Sequence, residues 1–344
     1  MSDTITPDVA EEEATPGPGA GRSADRLVVR LEPYALPGLL GLLLLFFSVL
    51  PASADTFPTA ANLSFLTGNQ AITMLLAVAL VVPLVSGHFD FSVGAVAAST
   101  SVLAASLMSS FDAPLVLAVA AAVAGGVAIG TVNGVLVARF GMNSFVSTLG
   151  VATLLGGLIQ LRTGGRPIIS GISGTLIRFG SDTWLGVPRI VYVVLVVVTA
   201  VWYLLAHTPF GRSLYAIGSN PRAARLVGLP LQRYTLLAFV TSSTLAAVAG
   251  VALTARTGGA TADPGLTLLF PALAAAFLGA TAIQPGRFNV WGTVIGVVFV
   301  SVSVSGLTLA GADAWVNPVF NGAALLIAVG LSSFLARRRE MGGA

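Results

Sequence analysis

The sequence predicts an all-α integral membrane protein of about ten transmembrane helices, both termini inside the cell, with a short cytoplasmic helix late in the chain. Three observations predict it. Of 344 residues, 55% are hydrophobic and only 9% are charged, against roughly 25% charged in soluble domains. The apolar residues gather in runs near the length of about 20 residues that a membrane span requires. The arginines between those runs divide unevenly between the two faces of the membrane.

Residues 1–32 contain Glu11, Glu12, Glu13 and a Thr-Pro-Gly-Pro-Gly-Ala-Gly run, too polar to bury a core, and are expected to be a disordered cytoplasmic tail. The first apolar run begins near Leu36, too late for a cleaved signal peptide, so the N-terminus is expected to be retained. The membrane domain is expected over 33–336, followed by a cytoplasmic tail at 337–344. Spans are predicted at about 35–52, 70–86, 92–110, 113–138, 143–161, 189–206, 234–254, 267–283, 290–310 and 315–335. Taken alternately, their connections put twelve arginines on one side: Arg22, Arg26, Arg30, Arg139, Arg212, Arg222, Arg225, Arg233, Arg287 and Arg337 to Arg339. The other side carries five: Arg162, Arg166, Arg178, Arg189 and Arg256. The richer side is cytoplasmic by the positive-inside rule. The outside connection 162–188 is long and Gly-rich, with a surface helix around Trp184 or a re-entrant segment as its two readings.

Glycines inside spans, such as Gly125, Gly126, Gly130, Gly150, Gly156 and Gly157, let helices pack closely. Pro83 and Pro271 fall within spans and should kink or break them, which is tolerated only against protein or a water-filled cavity. Both are therefore candidates for a translocation path, together with Asn133 and Phe145.

The residue inventory excludes several chemistries. There is no cysteine, hence no disulfide, thiolate nucleophile or cysteine metal site. All 17 basic residues are arginine, so a phosphate-binding loop ending in lysine cannot exist, and ATP is not hydrolysed through that motif. His88 and His207 lie in different connections, which rules out a metalloprotease helix of the H-E-x-x-H type. No paired carboxylates or nucleophile elbow suggest catalysis. Every carboxylate beyond the tail, including Asp90 and Asp263, falls at a span end or in a loop, so no acidic residue is expected mid-membrane. That weakens a proton- or cation-coupled carrier without removing it. The net charge of +3 reflects asymmetric loops rather than nucleic-acid binding.

The stretch 207–233 is the polar interruption that carries most positive charge. Asn220 suits a helix N-cap, Pro221 the first turn, Gly228 the left-handed residue past the end, and Pro230 prevents continuation. A helix of about two turns over 221–227 follows, with Arg222 and Arg225 on one face and Ala223, Ala224 and Leu226 as small and apolar surface. So short a helix needs a partner to hold it; a basic loop that only sets topology is the simpler alternative. Gly87-His88-Phe89-Asp90 and Gly286-Arg287-Phe288-Asn289 share a G-x-F-[D/N] pattern on the same side, which gives no support to an inverted repeat.

Gly87-His88-Phe89-Asp90-Phe91-Ser92-Val93-Gly94, Asn133-Gly134, Phe145-Val146-Ser147-Thr148-Leu149-Gly150 and Thr163-Gly164-Gly165-Arg166-Pro167 resemble the permease subunits of bacterial ribose-type ABC importers. Phe210-Gly211-Arg212, Tyr215-Ala216-Ile217-Gly218, Asn220-Pro221 and Ala223-Ala224-Arg225-Leu226 followed by Gly228 match that family's ATPase-docking loop. The resemblance spans about residues 70–335. It implies an inner-membrane permease that forms the path for a sugar or similar solute. The implied partners are a cytoplasmic ATPase pair carrying ATP and Mg²⁺, an extracytoplasmic solute-binding protein and a second permease chain, identical or not. This chain would bind no cofactor. The implied coupling residues are Gly211, Asn220, Pro221, Arg222, Ala223, Ala224, Arg225, Leu226 and Gly228, with Gly87, Asp90, Ser92 and Gly94 as a cytoplasmic turn motif. The chain departs from the family at His88, usually a second glycine, at Gln284-Pro285-Gly286-Arg287, usually G-G-x-G, and at Leu268-Leu269-Phe270-Pro271, often a tyrosine–glutamate pair and an aspartate. A stand-alone secondary carrier is the rival reading.

Overall fold

The computed structural model describes residues 21–342 apart from Pro264. Ten long or apolar helices succeed one another: α1 (Gly21–Val49), α2 (Ala60–Val85), α3 (Val93–Phe111), α4 (Leu115–Ala138), α5 (Ser144–Thr163), α7 (Arg189–His207), α10 (Leu231–Thr257), α11 (Leu266–Gly279), α12 (Val290–Leu309) and α13 (Val316–Gly342). Between them lie three short helices, α6 (Gly174–Ser181), α8 (Pro209–Ser219) and α9 (Pro221–Leu226), and a two-residue hairpin of β1 (Thr183–Trp184) with β2 (Val187–Pro188). Among the described residues, eight helices are long and apolar enough to cross a membrane, and Leu266–Gly279 and Val316–Ile327 are shorter apolar helices. The ten predicted spans are thus all helical.

Helix α1 begins at Gly21, so residues 21–32 are helix rather than tail; residues 1–20 lie outside the described residues. At the other end α13 continues to Gly342, so Arg337 to Arg339 extend a helix instead of opening a tail. The outside connection 162–188 holds its helix at α6, before Trp184, which sits in the hairpin and accepts a hydrogen bond on its carbonyl from the Tyr192 hydroxyl at 2.9 Å.

Helix α10 is the central post. Its face packs on α4, α3 and α2, and its small side chains Ala238, Ser242, Ser243, Ala246, Ala249 and Gly250 are buried. Close approach follows from chemistry at the crossing points: a Cβ on Gly130 of α4 would collide with the Phe239 carbonyl, and one on Gly250 with that of Ala97. Small residues replace the hydrophobic driving force that lipid removes.

Two of the spans are broken at depth. The Ser242 hydroxyl donates to Asp90 at 3.0 Å, and Ser242 stands about 16 Å along α10 from Leu231 at 1.5 Å per residue. Further along, Thr254 meets Ser101 at 2.8 Å. Helix α3 therefore starts part-way across the bundle. Past Thr257, the chain turns back: Ala260 exchanges backbone hydrogen bonds with Ile168 at 2.9 Å, is buried beside Ala98, Val102 and Ile159, and leads to Gly265, whose backbone touches Gly94. Helix α11, with 14 residues, covers about 21 Å of the roughly 30 Å hydrocarbon core. Extended backbone at such depth survives because protein surrounds it. The two helix starts meet at Gly94 and Gly265, and each follows an aspartate that caps the turn: Asp90 accepts from Ser92 N at 3.0 Å and Asp263 from Gly265 N at 2.6 Å. Helices α3 and α11 thus start against each other, while the two G-x-F-[D/N] turns line one cavity.

Candidate coupling platform and transmembrane path

The cytoplasmic loop folds as two helices, not one. Thr208 caps α8, its hydroxyl accepting from Gly211 N at 3.4 Å, with Pro209 at the first position. Leu214 and Ile217 are buried and Gly211 lies against the Leu205 carbonyl, so α8 lies folded back on the end of α7. A Thr-Pro pair followed by an amphipathic stretch is a start signal, and it was readable at Thr208-Pro209.

Three contacts fasten α8 to the spans. A Cβ on Gly218 would collide with the Val85 carbonyl at the end of α2. The Tyr215 hydroxyl donates to the Phe288 carbonyl at 3.0 Å, and the Arg287 guanidinium stacks 4.6 Å from the Tyr215 ring centroid. Burial raises the Tyr215 pKa above its usual 10.0, and the nearby Arg287 charge opposes that shift. A cavity of about 680 Å³ opens between α8 and the two G-x-F-[D/N] turns, lined among others by Gly87, Tyr215, Ser219, Gly286 and Arg287. Tyr215, Gly218 and Arg287 carry this linkage; the sequence put the first two in the docking-loop motif and Arg287 among the cytoplasmic arginines, but none among the coupling residues.

Helix α9 is shorter than the predicted 221–227 but bounded by the predicted residues. Asn220 Oδ1 accepts from Arg222 N at 3.1 Å and Ala223 N at 3.0 Å. At the far end Gly228 N donates to the Arg225 carbonyl and Leu229 N to the Ala224 carbonyl, the paired bonds of a Schellman end with Gly228 at φ +83°. Burial corrects one assignment. Ala224 is 4% exposed and packs inward, so it offers nothing to a partner, while Leu226 at 88% and Val227 at 77% stand out in solvent. Pro221, Arg222, Ala223 and Arg225 are exposed beside them.

Of the turn motif, Asp90, Ser92 and Gly94 are buried, while Gly87 is exposed at its outer edge. Gly87, at φ +80°, ends α2 in another Schellman arrangement, with Gly87 N on the Leu84 carbonyl and His88 N on that of Pro83. His88 needs no positive φ, which is why a side chain fits there; its ring nitrogen Nδ1 bonds the Ser86 carbonyl at 3.0 Å. Burial lowers the His88 pKa from 6.5, and that carbonyl partly offsets it. Phe89 N and Phe91 N donate to Ser144 and Thr148 of α5 at 3.2 and 3.0 Å.

Asp90 is 1% exposed, which corrects the expectation that no carboxylate lies at depth. Ser92 Oγ at 2.6 Å, Ser92 N and Ser242 Oγ all donate to it, and Asn133 Nδ2 donates to Ser92 Oγ at 2.7 Å. One polar chain therefore joins α3, α4, α10 and the turn. Sequence spacing cannot reveal it because Asn133 lies 41 positions from Ser92 and Ser242 lies 152 from Asp90.

Of the four path candidates, Pro83 and Asn133 are buried within the bundle. Pro83 sits in the last turn of α2, which stays helical around it. Phe145 is 44% exposed and meets Phe91 edge-on at 4.6 Å. Pro271 lines an open cavity between α11 and α13.

Residues 62–329 match the family model described as "Branched-chain amino acid transport system / permease component". The chain belongs to this permease family. It is a multi-pass membrane protein of bacterial type and a transport component rather than an enzyme. The chain is 32% identical over 293 residues to the ribose import permease protein RbsC of Escherichia coli K12, covering 83% of this chain and 90% of that protein. It is 33% identical over 306 residues to RbsC of Bacillus subtilis 168, covering 89% and 93%. To the D-allose transport system permease protein AlsC of Escherichia coli K12 it is 27% identical over 285 residues, covering 83% and 87%. No solved structure matches the chain.

Proposed function

We propose that this permease forms the membrane path of an ATP-binding cassette importer for a sugar or similar small polar solute. A separate cytoplasmic ATPase supplies the energy, holding ATP and Mg²⁺, while this chain binds no cofactor. An extracytoplasmic solute-binding protein delivers the solute, and a second permease chain, identical or related, completes the path. The sugar reading draws on relatives whose names specify ribose and D-allose.

The observation that carries the coupling role is the double attachment of α8. An exposed apolar and basic face on α9 (Arg222, Arg225, Leu226 and Val227) suits an ATPase surface, and α8 ties that face to the end of α2 through Gly218 and to the α11–α12 turn through Tyr215. Force applied at α9 thus reaches both turns beside the broken helices. Gly211, Asn220, Pro221 and Gly228 keep the platform in shape.

The test is reconstitution in vesicles. Uptake of ribose, D-allose or another sugar in a panel should require the ATPase, the binding protein and ATP, and the purified permease should hydrolyse no ATP. Uptake driven by an ion gradient without ATPase or nucleotide would establish a secondary carrier instead.

A further inference from the structure

Helices α3 and α5 leave a cleft of about 230 Å³ along their closing halves, lined by Ser99, Leu103, Ser106, Phe111, Leu158 and Arg162 among others. It shares no residue with the coupling platform or with the four path candidates. Its depth follows from helix length. The 20 residues of α5 span about 30 Å, the thickness of the hydrocarbon core, so Arg162 in the last turn stands at the level of lipid headgroups. There its guanidinium donates to Ser110 Oγ at 2.7 Å, and it has no ion pair among the described residues. Most of its N–H donors stay open. From Phe111 to Ser99 the α3 wall runs inward for about 18 Å at 1.5 Å per residue, and below the arginine the lining is mainly aliphatic. Ser106 is the exception near the mouth. It is 3% exposed, and its hydroxyl meets no partner among the described residues, whereas Ser99 bonds the Ala95 carbonyl one turn back at 2.6 Å. Ser106 lies one turn, about 6 Å, deeper than Ser110.

We infer that this cleft holds one anionic phospholipid, with an acyl chain between α3 and α5 and its phosphate on Arg162. Guanidinium at the mouth, hydroxyl a turn below and apolar walls beneath follow the order of the lipid itself: phosphate, ester carbonyl, chain. The Ser106 hydroxyl donates to the ester carbonyl, which relieves an unpaired buried donor. Phosphate and guanidinium form charge-assisted bonds. The lining contains no carboxylate, so the ammonium of an ethanolamine headgroup finds no partner there, while a glycerol headgroup leaves the phosphate to the arginine. The inference stands independently of the solute carried.

The test uses the full chain in mixed micelles containing phosphatidylglycerol with a photoreactive diazirine in its acyl chain, adducts being mapped by peptide mass spectrometry. Adducts should fall on residues 102–107 and 155–159. Excess unlabelled phosphatidylglycerol should remove them, and phosphatidylethanolamine should not. Arg162→Gln should cut them about fivefold, the worth of one basic residue to an anionic lipid, and Arg162→Lys, which keeps the charge, should restore most of them. Arg178→Gln, at an exposed position on α6, should leave them unchanged, and the elution profile of each variant checks its fold. Equal labelling of other exposed apolar positions, such as Val116 and Leu117 on α4, or equal competition by phosphatidylethanolamine, would overturn the site. So would a disulfide between two copies of a Leu158→Cys chain, which has no other cysteine, because a second permease chain would then cover the cleft.

Discussion

Replacing Gly218 with alanine separates a coupling platform from a passive loop. Gly218 lies in α8, where alanine is the better helix former by roughly 1 kcal/mol, so propensity alone favours the substitution. The tertiary contact opposes it. The new Cβ would overlap the Val85 carbonyl, and the partner is backbone at the end of a buried helix, so it cannot rotate away. Helix α8 would have to draw back by roughly 1 Å, which strains the Tyr215–Phe288 hydrogen bond at 3.0 Å. Overpacking of this kind destabilises by about 1–3 kcal/mol, or a factor of about 5–150 in the fraction of molecules with α8 seated. The outward face of α9 is untouched, so the complex with the ATPase should still be recovered. ATP-driven uptake should fall within that range while ATP hydrolysis falls less. The control is Ser219→Ala, at an exposed position, expected within about 0.5 kcal/mol of wild type. Uptake and Tm for Gly218→Ala indistinguishable from wild type would show that α8 does not transmit through Val85.

Leu226→Glu alters a side chain in solvent, so Tm should hold while recovery of the permease–ATPase complex drops; Ala224→Glu buries a charge inside the loop and should lower Tm through a loss of several kcal/mol of stability. Equal effects of the two on Tm would contradict the burial that separates them. His88 stays neutral at lower pH in the folded chain than in the unfolded one. The unfolded state therefore takes up the proton first, and stability present above pH 6.5 is lost as pH falls below it; His88→Asn should flatten that fall in detergent Tm measurements, and an unchanged slope would assign it to other groups. A cysteine at Ser219 should resist an impermeant thiol reagent in intact cells and react in inverted vesicles. Ready labelling from outside would reverse the topology.

Membrane insertion needs only local information: a run such as Leu115–Ala138 is apolar enough to leave water whatever surrounds it. The long helices and their order were therefore legible in the sequence. So were the ends of α9, because Asn220 and Gly228 act on backbone groups a few positions away. Depth and partnership are different quantities. Asp90 reads as a loop residue because the polar turn around it resembles a membrane surface, and only its bond to Ser242, 152 positions along the chain, places it inside the bundle. The re-entry after Thr257 is equally silent, since Ala260 is held by Ile168 and Gly265 by contact with Gly94 rather than by local composition. Ala224 and Leu226 differ by two positions on a six-residue helix, and which of them faces a partner is decided by how α8 seats against α2. Local chemistry determined which segments are helices; long-range packing decided where they start, how deep they sit and which faces remain for other molecules.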